Sequence, residues 1–558
     1  MATQDDRSAD VQATFCSTLV DEWVRLGVVR AFVAPGSRST PIALALASNS
    51  RIEVHVFHDE RSAAFAALGS ALRSGRPGLV VCTSGTAATH FHAAIVEADL
   101  AGVPMIVVTA DRPPELQGVG APQTIPQDHL YGKFAHWFHD PGVPEAGTET
   151  SWRSIARRCV SESETLPKGA VHLNLPFREP LVGTPGSLPP ASDEPVDVES
   201  VGGLVSDVTT RLANEWSARR PLLIAGRGVT DEVIHAAIER GWPVLAEART
   251  RWRHDVITHF DSLVRQAAFA DTDVPELAVR IGDPPASKVL GQWLLRHGVR
   301  QVHVSTDGRV YDPDGVIAER LVCEVDDLVP VFGAMESCDR SWTERWSTAE
   351  SKARASIESG LRSDDMTGVG SVVTFARALP AETALVVSSS MPIRDLEWFA
   401  GPLGERQVYS NRGANGIDGV IATAIGVATV HPGPVAVLIG DVATLHDSSS
   451  LASLARRRLD IRLLVVDNDG GGIFHHLPQR TTVPDDVFEV LYGTPHGTDF
   501  VALAGAHGIT AEIVEDRRAL EVAASEVGPR VTVVRTERDG DVEAHRRLHR
   551  AVAEALES

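Results

Sequence analysis

Cysteine is scarce in this chain: there are five in 558 residues, at Cys16, Cys82, Cys159, Cys323 and Cys338. They are odd in number, far apart and form no CxxC pair, which argues against a disulfide framework or a structural zinc site and predicts a reducing compartment. Basic charge is also short, with 52 Lys and Arg against 74 Asp and Glu and a formal charge of −22. That balance argues against a nucleic-acid groove or an anionic membrane surface, and any anionic ligand must meet arginines placed locally. No apolar run approaches the length of a membrane span. The opening Met-Ala-Thr-Gln-Asp-Asp has neither a basic nor an apolar leader region, so a cytoplasmic protein is expected. No short-period repeat is present.

What is present is length and alternation. At 558 residues and 43% hydrophobic content the chain exceeds one core, and three domains are expected. Short apolar runs at 29–34, 52–57, 79–83, 105–109 and 171–175 alternate with amphipathic stretches in a first block. Residues 183–199, rich in Pro, Gly, Ser and acid, predict a linker. A middle block has strand-like runs at 222–225, 243–245, 277–281 and 302–304 and ends in a charged helical stretch at 342–362. A last block begins near Gly368 and closes with a strand at 531–535 and a helix. The predicted class is α/β, with three doubly wound parallel-sheet domains at 1–182, 200–355 and 368–558.

The last block carries the most specific pattern. A strand-like run from Pro434 stops at Gly440-Asp441, and a second, Leu463 to Val466, stops at Asp467-Asn468-Asp469-Gly470-Gly471-Gly472. The stretch Asp447 to Arg458, with a cap-like Asp-Ser-Ser start, predicts the crossover helix between them. Parallel strands would bring Asp441 and Asn468 to one sheet edge. There a carboxylate, an amide oxygen and a backbone carbonyl near Gly470 suit a hard divalent cation, and the glycines would let a diphosphate come close. Either half alone is an ordinary turn; the pairing resembles the thiamine diphosphate signature, although Asp467 stands where Asn is common. The resemblance implies thiamine diphosphate with Mg²⁺ or Mn²⁺, a metal set of Asp441, Asn468 and Gly470, and cofactor contacts from Gly440, Gly472 and Ile473.

Glu60 follows the second apolar run and opens an Ala-rich helical stretch. A Glu there is ordinarily a dipole-complementing surface residue. The same resemblance implies the acid that hydrogen-bonds the cofactor's pyrimidine ring. Ile417, the lone large hydrophobe of Asn411 to Gly419, is either core filling or the side chain beneath the bent cofactor.

Five further segments narrow the resemblance. Ala34-Pro-Gly-Ser-Arg-Ser-Thr-Pro41, Asp59-Glu60-Arg61, Thr83-Ser-Gly-Thr-Ala87, Ala110-Asp-Arg-Pro-Pro-Glu-Leu116 and Ser410-Asn-Arg-Gly413 through Asp418-Gly419 occur in this order. With Gly440 to Asp447 and Asn468 to Phe474, they resemble the 2-succinyl-5-enolpyruvyl-6-hydroxy-3-cyclohexene-1-carboxylate synthase family of menaquinone biosynthesis over nearly the whole chain. The resemblance implies a thiamine diphosphate-binding fold with pyrimidine, central and diphosphate domains. It implies a transferase that decarboxylates 2-oxoglutarate and adds the succinyl carbanion equivalent to isochorismate. Both substrates are polyanions, which explains local arginines in an acidic protein.

Carried over by position, the substrate contacts are Ser37, Arg38, Arg112, Gln123, Lys288, Ser390, Arg394, Arg412, Phe474 and Leu477. Gln123 lies near the reacting centre with Glu60 and Ile417; Ser84, Gly85, Ser390 and Met391 join the cofactor set. Pro122 and Val289 depart from the pattern, beside Gln123 and Lys288. His90, His92, His475 and His476 lie in no segment that forces an acid–base role. No dinucleotide fingerprint marks the middle block, so FAD is not expected. An active site shared between subunits is implied, hence a homodimer or a dimer of dimers. The alternatives are another thiamine diphosphate-dependent decarboxylase or carboligase, and a non-catalytic sensor that binds the cofactor.

Overall fold

The apolar runs become strands of three wholly parallel sheets in the computed structural model, which describes residues 4–191, 203–250, 255–362 and 366–558. The first sheet contains β1 (Arg30–Ala34), β2 (Glu53–Val56), β3 (Gly78–Cys82), β4 (Met105–Asp111), β5 (Ala135–His139) and β6 (Ala170–Pro176), in the order β2-β1-β3-β4-β6-β5. The second contains β7 (Pro221–Ala225), β8 (Val244–Ala246), β9 (Leu277–Ile281), β10 (Arg300–Ser305) and β11 (Ile317–Val322), in the order β11-β10-β9-β7-β8. The third contains β12 (Ala384–Val387), β13 (Val408–Tyr409), β14 (Val435–Gly440), β15 (Ile461–Asp467), β16 (Thr510–Ile513) and β17 (Arg530–Arg535), in the order β13-β12-β14-β15-β17-β16. Strand for strand, the first and third sheets share one topology. Each reverses direction of winding beside its first strand, and ligands bind at such switch points in open α/β sheets.

Central strands β3, β4, β6 and β15 are buried along their whole length, as parallel strands covered on both faces must be. Helices supply the cover. Phe15, Leu19 and Trp23 of the first helix pack with Leu79, Ile106 and Leu173 of the first sheet. Trp342 and Trp346, in the helix Arg340–Gly360, lie in a core that includes Leu222 and Leu385.

Contact density divides the chain into two units: Met1–Glu199 with Asn411–Pro432 and His446–Leu459, and Ser200–Ser410 with Gly433–Leu445 and Asp460–Ser558. Within the first unit, the helices Glu60–Ser74 and Val420–Ala428 meet backbone to backbone. A Cβ at Gly69 would lie 2.0 Å from the Thr423 carbonyl oxygen, and one at Gly426 would lie 1.9 Å from that of Ala66.

Two expectations change. The crossover between β14 and β15 is two helices, Asp441–His446 and Ser450–Arg457, and helix begins at Asp441 itself. Asp447 is not the expected cap: its buried carboxylate accepts the Ala422 N–H at 2.9 Å and the Ser450 hydroxyl at 2.5 Å. Ser449 takes the N-cap position without a side-chain bond to the helix backbone. The second change concerns the linker. Thr184 N–H donates to Asp10 Oδ1 and Gly186 N–H to Thr14 Oγ1, both on the first helix, so this end of the stretch is tied down. Its remainder, 192–199, lies outside the described residues. No helix among the described residues is long and apolar enough to cross a membrane.

Candidate functional site

In the third sheet, Gly440 of β14 pairs with Val466 of β15, which brings Asp441 level with Asp467. Asp441 is 2% exposed and held on both oxygens. Oδ1 accepts the Val442 N–H at 2.7 Å; Oδ2 accepts the Asn468 N–H at 3.0 Å and the Gly470 N–H at 2.9 Å. Burial raises its pKa, against these donors. The Asn468 side-chain oxygen is shut off from solvent and has no hydrogen-bond partner. Open space lies where a side chain at Gly440 would begin. A buried carboxylate, an unsatisfied amide oxygen and a close-approach glycine form a donor set that fits a hard divalent cation bearing phosphate.

The glycines that follow also meet close neighbours within the chain. At Gly470, φ is +142° and a Cβ would sit 1.8 Å from the Gly493 carbonyl oxygen; at Gly471 it would sit 2.1 Å from that of Tyr492. Gly471 N–H donates to Gly493 at 2.8 Å. At Gly472 a Cβ would strike the Asn468 amide nitrogen at 2.4 Å. Gly470 and Gly471 let the Asn468 loop seat against the segment 492–497, and Gly472 leaves room for the Asn468 side chain itself. The same segment delivers His496, which sequence reasoning missed: its Nε2 faces Asp441 Oδ2 at 3.4 Å.

Ser390 and Met391 start the helix Met391–Phe399 at the end of β12. Arg394 turns back to donate to the Ser389 and Ser390 carbonyls at 3.1 and 2.6 Å, and burial lowers its pKa. Asp261 is among the acids whose charge Arg394 feels; it also accepts the Ser287 hydroxyl at 2.6 Å, next to exposed Lys288. Ile473 and Phe474 lie half-buried in the turn Gly472–His476, with Phe474 5.3 Å from the Tyr492 ring, and Leu477 is exposed. His475 pairs with Asp539 at 2.8 Å. His476 is pushed down to about 3 by burial and then by His545, so it is neutral at physiological pH.

The first sheet gathers its own set at the ends of β1 to β4. Arg112 donates to Ser84 Oγ, and Gln123 Nε2 donates to the Ser84 carbonyl at 3.1 Å. Arg38, 6% exposed, donates to the Phe177 carbonyl at 2.9 Å and to Glu179 at 3.1 Å. Burial lowers the Arg112 pKa and the neighbouring Arg38 charge lowers it further. Gly85 needs its φ of +84°, and a side chain there would meet Gln123, itself at a φ of +56°. Beneath them lies a network that sequence reasoning did not find. Gln127 accepts the Gly85 N–H at 2.8 Å and donates to Asn174 at 2.8 Å; Asn174 donates to Asp111 and Asp140. Ser37, His90 and His92 are exposed.

Glu60 is the first residue of its helix, capped by Asp59, and takes no hydrogen bond from the described residues. Its charge reaches Cys82 at the end of β3. Asp59 accepts the Ser449 hydroxyl at 2.8 Å, and Ser62 meets Ser450 at 2.8 Å, so hydrogen bonds fix the turn on both sides of Glu60. In the loop before the helix Val420–Ala428, Ile417 is 37% exposed, which is not core filling. Arg412 is half-buried in the same loop, whose next two N–H groups bond Glu97.

Comparison with known proteins follows the same division. The N-terminal TPP binding domain model of thiamine pyrophosphate enzymes matches residues 14–131, and the C-terminal TPP binding domain model matches 397–534. A Myxococcus xanthus protein named 2-succinyl-5-enolpyruvyl-6-hydroxy-3-cyclohexene-1-carboxylate synthase is 38% identical, covering 98% of this chain and 98% of its own. Proteins of the same name from Thermobifida fusca and Geobacillus kaustophilus are 40% and 37% identical, covering 96% and 98% of this chain and 98% and 99% of their own. Among solved structures, a thiamin diphosphate-dependent enzyme from Mycobacterium smegmatis aligns with a TM-score of 0.71 at 19% identity. Benzoylformate decarboxylase from Polynucleobacter necessarius aligns at 0.72 and 17%. Each covers 94% of this chain and 99% of its own, a likeness of fold.

Proposed function

The chain belongs to the 2-succinyl-5-enolpyruvyl-6-hydroxy-3-cyclohexene-1-carboxylate synthase family of thiamine pyrophosphate enzymes, and on that premise we propose that it decarboxylates 2-oxoglutarate and joins the succinyl carbanion equivalent to isochorismate by 1,4-addition, as a cytoplasmic enzyme of menaquinone biosynthesis. The observation that carries the substrate class is the placement of two guanidiniums by the first sheet, Arg38 held by the Phe177 carbonyl and Glu179 and Arg112 by Ser84 Oγ. Like charges held together in partial burial suit a ligand that brings several carboxylates.

Thiamine diphosphate supplies an acidic carbon and an electron sink for the decarboxylation. Asp441, the Asn468 side-chain oxygen and the Gly470 carbonyl would hold Mg²⁺ or Mn²⁺ on its diphosphate, with Gly440, Gly472, Ile473, Ser390 and Met391 alongside. Glu60 would exchange a proton with the pyrimidine nitrogen, and its lack of a partner within the described residues supports that role. Ile417 would brace the cofactor from beneath, and Ser84 and Gly85 would border its pyrimidine end. Arg38, Arg112, Arg394, Arg412 and Lys288 would take the substrate carboxylates, with Ser37, Ser390 and Gln123 adding hydrogen bonds and Phe474 and Leu477 an apolar wall.

The first sheet, within 1–182, would serve as the pyrimidine domain and the third, within 368–558, as the diphosphate domain, with 200–355 between them. The site would form across a homodimer, alone or within a dimer of dimers, with Glu60 of one protomer acting on the cofactor held by Asp441 of its partner.

The test is consumption of 2-oxoglutarate and isochorismate by purified protein with thiamine diphosphate and Mg²⁺, each omitted in turn. The expected result is loss of both activities when either cofactor or metal is left out. Release of succinic semialdehyde while isochorismate stays untouched would instead identify a simple decarboxylase.

A further inference from the structure

Asp467 ends β15 at 8% exposure, and one of its carboxylate oxygens lies within 4.8 Å of ligand atoms of both Asp441 and His496. Among the described residues these three form the one cluster of His, Cys, Asp and Glu atoms placed to hold a metal ion. Two buried carboxylates at this separation repel in a medium that screens poorly. Among the described residues neither has a buried Lys or Arg partner. The Arg535 guanidinium stands 3.9 Å from Asp467 and is 61% exposed, so water screens it. His496 does not ligate in this arrangement: its Nδ1 accepts the Thr498 N–H at 3.0 Å, which places the ring proton on Nε2, facing Asp441. Asp441 Oδ2 is already bonded to two N–H groups, so Oδ1 is the less encumbered oxygen. The shielded, unpartnered Asn468 oxygen is a second and independent sign of a cation here.

Building on the reading that Asp441, Asn468 and Gly470 hold the diphosphate's cation, we propose that Asp467 makes this a two-carboxylate site, able to take up a divalent ion on protein groups before the cofactor arrives. A site with one carboxylate relies on phosphate oxygens to complete the shell of Mg²⁺. A second carboxylate adds a full charge of attraction, and the ion in turn relieves the repulsion between the two acids. Cation first and diphosphate second is then the favoured order of assembly.

The experiment uses Mn²⁺ and full-length protein freed of cofactor, with free Mn²⁺ followed by electron paramagnetic resonance. The wild type is compared with Asp467→Asn, Asp467→Ser and Asp441→Asn. The wild type is expected to bind one Mn²⁺ per chain, with both Asp467 variants weaker by about tenfold or more and Asp441→Asn weaker still. Mn²⁺ should also raise the thermal midpoint of the wild type more than that of either Asp467 variant, and circular dichroism identifies any variant that has not folded. Equal Mn²⁺ affinity in the wild type and a folded Asp467 variant, or no saturable binding by the wild type, would overturn the proposal. The titration is then repeated with thiamine diphosphate. Failure of the cofactor to bind the Mn²⁺-loaded wild type would sink the reading of the diphosphate site, yet leave the Asp467 result standing.

Discussion

Glu97 holds Gly413: its buried carboxylate accepts the Gly413 and Ala414 N–H groups at 2.7 Å each and so anchors the loop that carries Arg412 and Ile417. Hydrogen bonds to a charged acceptor contribute about 1.5–3 kcal/mol each. Glu97→Gln turns one acceptor into an amide N–H that opposes a backbone N–H. Turnover is expected to fall roughly ten- to a hundredfold through misplacement of the loop, with the far-ultraviolet circular dichroism unchanged. Steady-state kinetics and a cofactor titration check this; unaltered turnover contradicts it.

Glu60→Gln keeps the shape of the helix start and removes the acid. Turnover of 2-oxoglutarate should drop by roughly a thousandfold while thiamine diphosphate still binds with Mg²⁺. Quenching of intrinsic fluorescence by the cofactor, measured beside the turnover assay, separates the two effects. A loss of binding equal to the loss of rate would place Glu60 outside the chemistry.

Gly426 lies where the helices Glu60–Ser74 and Val420–Ala428 cross. A methyl at this position would meet the Ala66 carbonyl oxygen at 1.9 Å, and backbone cannot move aside as a side-chain tip can. Gly426→Ala should destabilise the fold by about 2–3 kcal/mol. Because one helix starts at Glu60 and the other follows Ile417, activity should fall with it. Thermal denaturation gives the first effect; a melting temperature equal to the parent's refutes it.

Much of this arrangement is legible in the amino-acid order. The central strands are continuous apolar runs, and the Gly440-Asp441 and Asp467-Asn468 stops end up side by side because parallel strands end at one edge. What goes unmarked is the inner strand β12, Ala384–Val387, and edge structure. β5, β11 and β16 are partly exposed and carry His, Glu, Arg or Thr, so no apolar run marks them. His496 and Glu97 escape for another reason: each reaches its partner by tertiary folding across a gap in sequence that no local pattern encodes. At Gly470 and Gly471 the approach to Gly493 and Tyr492 escapes because glycine reports close approach without naming what approaches. The helix at Asp441 was hidden because Asp447-Ser-Ser has the composition of a cap, while its carboxylate is drawn instead to Ala422 and Ser450.

Glu350 carries an acid-sensitive share of stability. Burial alone would raise its pKa, but His259 Nδ1 at 2.8 Å, the His259 N–H at 3.0 Å and the Thr258 hydroxyl at 2.8 Å outweigh that and hold it at about 2. A carboxylate whose folded pKa lies below its unfolded value stabilises the native state above the unfolded value, near 4.5, and loses that contribution as pH falls toward 2. Glu350→Gln should cost about 3 kcal/mol at pH 7. The gap in melting temperature between variant and parent should narrow below pH 4.5. A gap that stays constant with pH contradicts the assignment.

The central claim is that one cofactor is gripped by Asp441 of one protomer and activated by Glu60 of the other. Mixing Glu60→Gln with Asp441→Asn subunits, each inactive alone, tests it most directly. Mixed dimers should each regain one site whose two acids are both native, so equal mixing with subunit exchange should restore roughly a quarter of wild-type activity. If both acids served a site within one chain, every chain in the mixture would carry a defect, and activity would stay at the level of the separate variants.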